Sequence, residues 1–100
     1  MEYLELPINK ISVNGIEFQR VLIDWKHISA RHPDIHKSLV LTAADQLNGK
    51  HFVPDKTKHP YQYFVSMLSI ERKSYRLIWL IEKNNDYLGI INLYRDDRKK

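Results

Sequence analysis

The sequence predicts an α+β domain: an N-terminal hairpin and helices packed on a C-terminal antiparallel β-sheet. Three observations predict it. Asn14-Gly15 separates two short alternating runs near the start. Ile35, Leu39, Thr42, Ala43, Gln46 and Leu47 recur at helical spacing. From Tyr61 onward, three runs of aromatic and β-favouring residues are separated by short polar turns, the pattern of an antiparallel meander. A chain of 100 residues suffices for one domain and not for two. Residues 1–100 are therefore read as a single domain with a flexible tail from about residue 96.

Each element has its own reason. Ile11-Ser12-Val13 and Ile16-Glu17-Phe18 flank Asn14-Gly15. A type I′ turn needs positive φ at both central residues, which Asn and Gly accept. Val21-Leu22-Ile23 is apolar but too short for periodicity to separate a strand from the start of a helix. Pro33-Asp34 ends whatever His27 to His32 forms, because a residue before proline avoids the α region. Asp34 then reads as the N-cap of a helix from about Ile35 to Leu47, closed by Asn48-Gly49. Strands are expected from Tyr61 to Leu68, Tyr75 to Glu82 and Tyr87 to Tyr94. Glu71 to Ser74 and Lys83 to Asp86 are the turns. In the middle strand Leu77, Trp79 and Ile81 alternate with Ile78 and Leu80, so both faces are apolar. That strand is expected to be central and covered on both sides.

Composition narrows the function classes. There is no Cys, which removes disulfides and Cys-based zinc sites and fits a reducing compartment. There is no signal-peptide pattern and no apolar run long enough to span a membrane, so a cytoplasmic protein with no membrane partner is expected. Net charge is +4. Residues 1–50 carry six Lys and Arg against six Asp and Glu; residues 51–100 carry ten against six, so the excess lies in the second half. A basic excess there suits a polyanion, through counterion release from phosphates, though on charge alone ordinary surface charge for solubility is the better reading.

The polar residues with chemistry fall in two segments. Lys26-His27-Ile28-Ser29-Ala30-Arg31-His32-Pro33 brings two imidazoles and a guanidinium together. Imidazole moves protons near neutral pH, and guanidinium binds phosphate in a planar fork. On one continuous helix, His27 and His32 would stand about 140° apart around the axis; a turn at Pro33 lifts that constraint. The second segment is the strand pair containing Tyr75, Arg76, Asn92, Tyr94 and Arg95. Asn92 and Tyr94 share one strand face and Arg95 takes the other. Arg76, on a central strand, needs either a wet cleft or an acidic partner such as Glu82 or Asp96. His32 and His36 stand four apart, as helix-borne zinc ligands do, but Pro33 lies between them and no third ligand completes a set, so neither metal nor cofactor is expected.

The stretch His27-Ile28-x-x-Arg31-His32-Pro33, the helix after it, and the ending Tyr75-Arg76-Leu77-Ile78-Trp79-Leu80-Ile81-Glu82 … Leu88-Gly89-Ile90-Ile91-Asn92-Leu93-Tyr94-Arg95 resemble the phage-associated branch of the barnase–EndoU–colicin–RelE superfamily of nucleases. The resemblance spans about residues 21 to 95. It implies N-terminal helical structure on an antiparallel sheet, and a small metal-independent toxin-like endoribonuclease. Such an enzyme directs the ribose 2′-hydroxyl at the adjacent phosphorus with general acid and base help. By the resemblance, His27 is a proton-transfer group, Arg31 and His32 bind phosphate and transfer a second proton, Arg76 stabilises the transition state, and Tyr94 and Arg95 position the phosphate. Lys26, Asn92 and Tyr75 are expected to bind substrate beside them. The implied partners are RNA and a cognate antitoxin or immunity protein. Two other classes fit the same residues: a non-catalytic nucleic-acid or ribosome-binding module, and a protein-binding adaptor or inhibitor.

Overall fold

The computed structural model describes residues 3–97. Six strands and two helices follow in the order β1 (Leu4–Val13), β2 (Ile16–Ile23), α1 (Trp25–Arg31), α2 (Lys37–Asp45), β3 (Lys56–Lys58), β4 (Tyr61–Ile70), β5 (Lys73–Glu82) and β6 (Tyr87–Arg95). All six strands belong to one sheet, in the order β1-β2-β6-β5-β4-β3.

The expected architecture is corrected here. The molecule is mostly a curled, mixed six-stranded sheet, and helices packed on a separate C-terminal sheet are not what forms. The physical reason lies in Val21-Leu22-Ile23. This run is strand, and it pairs in parallel with Leu88-Gly89-Ile90. Through it the N-terminal hairpin joins the C-terminal meander edge to edge instead of forming a layer of its own. The helices are short, seven and nine residues. Pro33 cuts the first. The second begins at Lys37, and its N-cap is His36, without a side-chain capping bond, in place of the expected Asp34.

The turn chemistry follows the sequence at one hairpin and departs from it at another. Asn14 and Gly15 both take positive φ, 53° and 76°, as a type I′ turn requires. The Asn14 side chain also accepts from the Phe52 N–H at 2.6 Å and donates to the Phe52 carbonyl at 3.1 Å, tying the hairpin to the segment after α2. The β4–β5 turn is tighter than expected: Glu71 and Arg72, with φ of 52° and 67°, close it, so β5 begins at Lys73. The short edge strand β3 has no apolar signal and was not expected. The antiparallel β4-β5-β6 meander forms as anticipated.

One face of the sheet is the core face. Phe64 and Leu68 from β4, Leu77 and Trp79 from β5, and Leu88, Ile90 and Leu93 from β6 are buried there with Ile28, Val40, Ala43, Ala44 and Leu47 of the helical segment. Trp79 organises the centre: Phe64 stacks on it at 4.1 Å, Phe52 meets its edge at 5.3 Å, and its indole N–H donates to Ser66 Oγ at 3.0 Å. That bond satisfies the one polar atom a buried indole carries. The opposite face is open, against expectation. Ile78 and Leu80 of β5 are only half-buried there, and Val65 and Met67 of β4 are 45% and 55% exposed.

Candidate functional site

The open face is where the polar residues gather, and the route of the chain after β2 explains how. Parallel pairing with β6 stops at Ile23 opposite Ile90. The Asp24 N–H then donates to the Ile90 carbonyl at 3.0 Å, while the Asp24 carboxylate accepts from the His27 N–H at 3.4 Å as the N-cap of α1. Helix α1 therefore starts where β2 leaves β6 and touches the strand farther along. The helix ends at Arg31 because His32, which precedes Pro33, has φ −134° and ψ 75°, outside the α region.

This ending delivers His32 to the sheet. Its ring stacks on Tyr94 with centroids 5.2 Å apart and planes 17° apart. Tyr94 lies opposite Arg76 in the β5–β6 register, and Arg76 lies opposite Met67 in the β4–β5 register. Met67, Arg76, Tyr94 and His32 thus form one row across the open face. Arg76 Nη2 pairs with Asp96 Oδ2 at 2.9 Å, and the Asp96 N–H donates to the Ser74 carbonyl at 3.0 Å. The side chains are 28% and 6% exposed, so the aspartate is interior and the arginine partly exposed, with its Nε buried and without a hydrogen-bond partner among the described residues. Residue 96 begins the stretch expected as a tail; Asp96 is buried, and 98–100 lie outside the described residues.

The other expected site residues distribute around this row. His27 is half-buried on α1; Lys26 and Arg31 are exposed there, and among the described residues none of their three side chains makes a hydrogen bond or ion pair. Asn92 shares the open face with Tyr94, next to a β-bulge at Ile91, and its side chain accepts from the Leu93 N–H at 3.0 Å. Tyr75 is on the core face, 6% exposed. Arg95 lies beside it with its guanidinium 5.8 Å from the Tyr75 ring, and it forks onto Asp97 at 2.8 Å. The structure brings His32, Tyr94 and Arg76 together; it sets Tyr75 and Arg95 on the other face. Among the described residues, no group of three or more His, Cys, Asp or Glu side chains is placed to hold a metal ion.

Sequence reading missed how the tyrosines assemble. Of six tyrosines, five (Tyr3, Tyr61, Tyr63, Tyr87 and Tyr94) lie on the open face, and only Tyr75 is turned inward. The period-2 spacing of Tyr61 and Tyr63 was a visible signal. Bringing Tyr3 and Tyr87 beside them requires the parallel β2–β6 contact. Four of the five, with Leu22, Asp24, Leu80, Gly89, Ile90 and Ile91, line a cleft of about 360 Å³. Gly89 keeps its floor low: a Cβ there would lie 2.7 Å from Leu80 side-chain carbons.

The electrostatics of the open face differ between its ends. Burial, then Asp24, Tyr61 and Tyr63, push the Tyr3 phenol above its usual range. Burial and the hydrogen bond to Glu82 push the Tyr87 phenol strongly up. Both shifts describe an environment that opposes added negative charge. At the other end the charged group of the row is Arg76, whose guanidinium is paired with Asp96. Comparison with protein-family models, curated proteins and solved structures finds no match to this chain.

Proposed function

We propose that this chain is a metal-independent, toxin-like endoribonuclease of the cytoplasm, with its reaction centre at the row of His32, Tyr94 and Arg76. The observation that supports it most is the stack of His32 on Tyr94, the residue that lies opposite Arg76 in the β5–β6 register. A proton acceptor, a proton donor and a fixed cation are then within reach of one phosphodiester. In this reading His32 takes the proton of the ribose 2′-hydroxyl as its oxygen bonds to phosphorus. The P–O5′ bond breaks, and the Tyr94 phenol protonates the leaving 5′-oxygen. The products are a 2′,3′-cyclic phosphate and a free 5′-hydroxyl. Arg76 faces the extra negative charge on the phosphorane oxygens, and Lys26 and Arg31 hold flanking phosphates. His27, on α1 five residues before His32, is a second proton-transfer group. A cognate antitoxin or immunity protein belongs to this reading, and exposed Val65 and Met67 offer it apolar surface beside Arg76. None of the described helices is long and apolar enough to cross a membrane.

A second reading is a non-catalytic RNA-binding module, favoured by the five tyrosines on an open sheet face, since bases stack on such rings. The two readings separate in one experiment. Total RNA is incubated with the purified protein in EDTA, and fragment ends are mapped. Fragments ending in 2′,3′-cyclic phosphate support the nuclease. RNA bound and uncut by folded protein supports the binding module.

A further inference from the structure

The tyrosine cleft lies apart from the proposed reaction centre, and its chemistry is different. Among the described residues its single charged lining residue is Asp24, and its walls carry the rings of Tyr3, Tyr61, Tyr63 and Tyr87. Glu82 stands behind Tyr87, bonded to its hydroxyl. Aromatic faces and carboxylates both present negative potential. The chain carries net charge +4, so this acidic, aromatic spot runs against the overall balance. The same rings already attract cations from within the chain: the Arg20 guanidinium sits 5.7 Å from the Tyr87 centroid, and Lys56 Nζ sits 5.8 Å from the Tyr63 centroid.

We infer that this cleft binds a guanidinium head group, stacked against tyrosine rings and paired with Asp24. A guanidinium is planar and weakly hydrated, stacks on aromatic faces, and forks onto a carboxylate. The cleft floor of Leu22, Leu80 and Ile91 suits the apolar stem that an arginine side chain lays along a surface. Gly89 leaves room for it, because any Cβ at that position would crowd Leu80. Asp24 and Glu82, whose negative charge contributes to the raised phenols of Tyr3 and Tyr87, would attract a cation in the cleft. An anion such as a phosphate is disfavoured here, so the site is independent of the ribonuclease reading.

The test titrates the full chain with N-acetyl-arginine methylamide and with its uncharged ureido isostere, following tyrosine ring signals by NMR. Asp24→Asn is the first variant: asparagine caps a helix as well as aspartate does, so α1 is kept while the charge is removed. Tyr61→Leu is the second; it removes a ring and keeps an apolar wall. The expected result is that the arginine derivative binds the wild type about tenfold or more tighter than the ureido form, as cation–π contact and a carboxylate pair together imply. Asp24→Asn abolishes that preference, and Tyr61→Leu weakens binding of the cation. An arginine-containing peptide binding more tightly than the derivative identifies a protein side chain as the source; equal binding identifies a small molecule. Equal affinity for charged and uncharged probes, no change in Asp24→Asn, or no tyrosine signal moving at millimolar probe would overturn the proposal.

Discussion

His32 and Tyr94 stack face to face, one from the end of a helix and the other from the last strand of the sheet. The contact exists because Pro33, two residues on, stops α1 at Arg31, which turns the His32 ring out of helical register and onto β6. The stack and the phenolic proton are separable. Tyr94→Phe keeps the ring and should change stability by less than about 0.5 kcal/mol, while lowering RNA cleavage by about 10²-fold or more, the range for loss of a proton-transfer group. Tyr94→Ala should add a stability loss of about 1 kcal/mol for the ring contact. Urea unfolding and cleavage rates of the two variants check both halves.

Arg76 has a structural duty in addition to its proposed chemical one. Arg76→Met leaves the interior Asp96 carboxylate without its guanidinium and should destabilise by about 3 kcal/mol, the lower end for a broken buried pair because the Arg76 side chain is partly exposed. Arg76→Met combined with Asp96→Asn should be less destabilised than the two single changes added together, by about 1 kcal/mol. A double-mutant cycle in urea measures this. Strict additivity would remove the pair from the account of the fold.

Gly89 and Leu80 face each other across β5 and β6. Gly89→Ala places a Cβ 2.7 Å from Leu80 side-chain carbons, so it should destabilise by about 1–3 kcal/mol as overpacking does. Adding Leu80→Ala should relieve the clash, leaving the double variant more stable than additivity predicts. Thermal unfolding of the three variants decides it.

Tyr87 predicts behaviour at alkaline pH. Its phenol is raised above its unfolded value of about 10 by burial and by Glu82. Above that unfolded value the unfolded chain has lost the proton and the folded chain still holds it, so stability falls as pH rises from about 10. Tyr87→Phe should flatten that alkaline decline while leaving the profile below pH 9 nearly parallel to wild type. Urea midpoints between about pH 8 and 11 test the sign, and a steeper decline in the variant would refute it.

Much of the local structure was legible because local chemistry dictates it. Asn14-Gly15 forms the turn its φ preferences demand, Pro33 stops a helix, and the alternation in β5 sets Leu77, Trp79 and Ile81 inward. The global arrangement was not legible, for a specific reason. Val21-Leu22-Ile23 pairs with Leu88 to Ile90, a parallel contact distant in sequence that neither run signals. Missing it hid the single mixed sheet, the open face and the tyrosine cleft together. The turn at Glu71 to Ser74 was legible, but its closing at Glu71-Arg72 alone was not, because neither residue is the glycine or asparagine that positive φ usually selects. Within the candidate site, alternation placed Tyr94 and Arg95 on opposite faces. The Arg76–Asp96 pair was one of the two anticipated, but the contact of His32 with Tyr94 needed the route of the chain past β6.

The most direct measurement is the single-turnover cleavage rate of an RNA substrate by wild type and by His32→Gln, both confirmed folded by circular dichroism. Wild type is expected to cleave in EDTA to 2′,3′-cyclic phosphate ends, and His32→Gln to be slower by about 10²–10⁴-fold. Equal rates in the two proteins, or no cleavage by wild type, would contradict a reaction centre at His32, Tyr94 and Arg76.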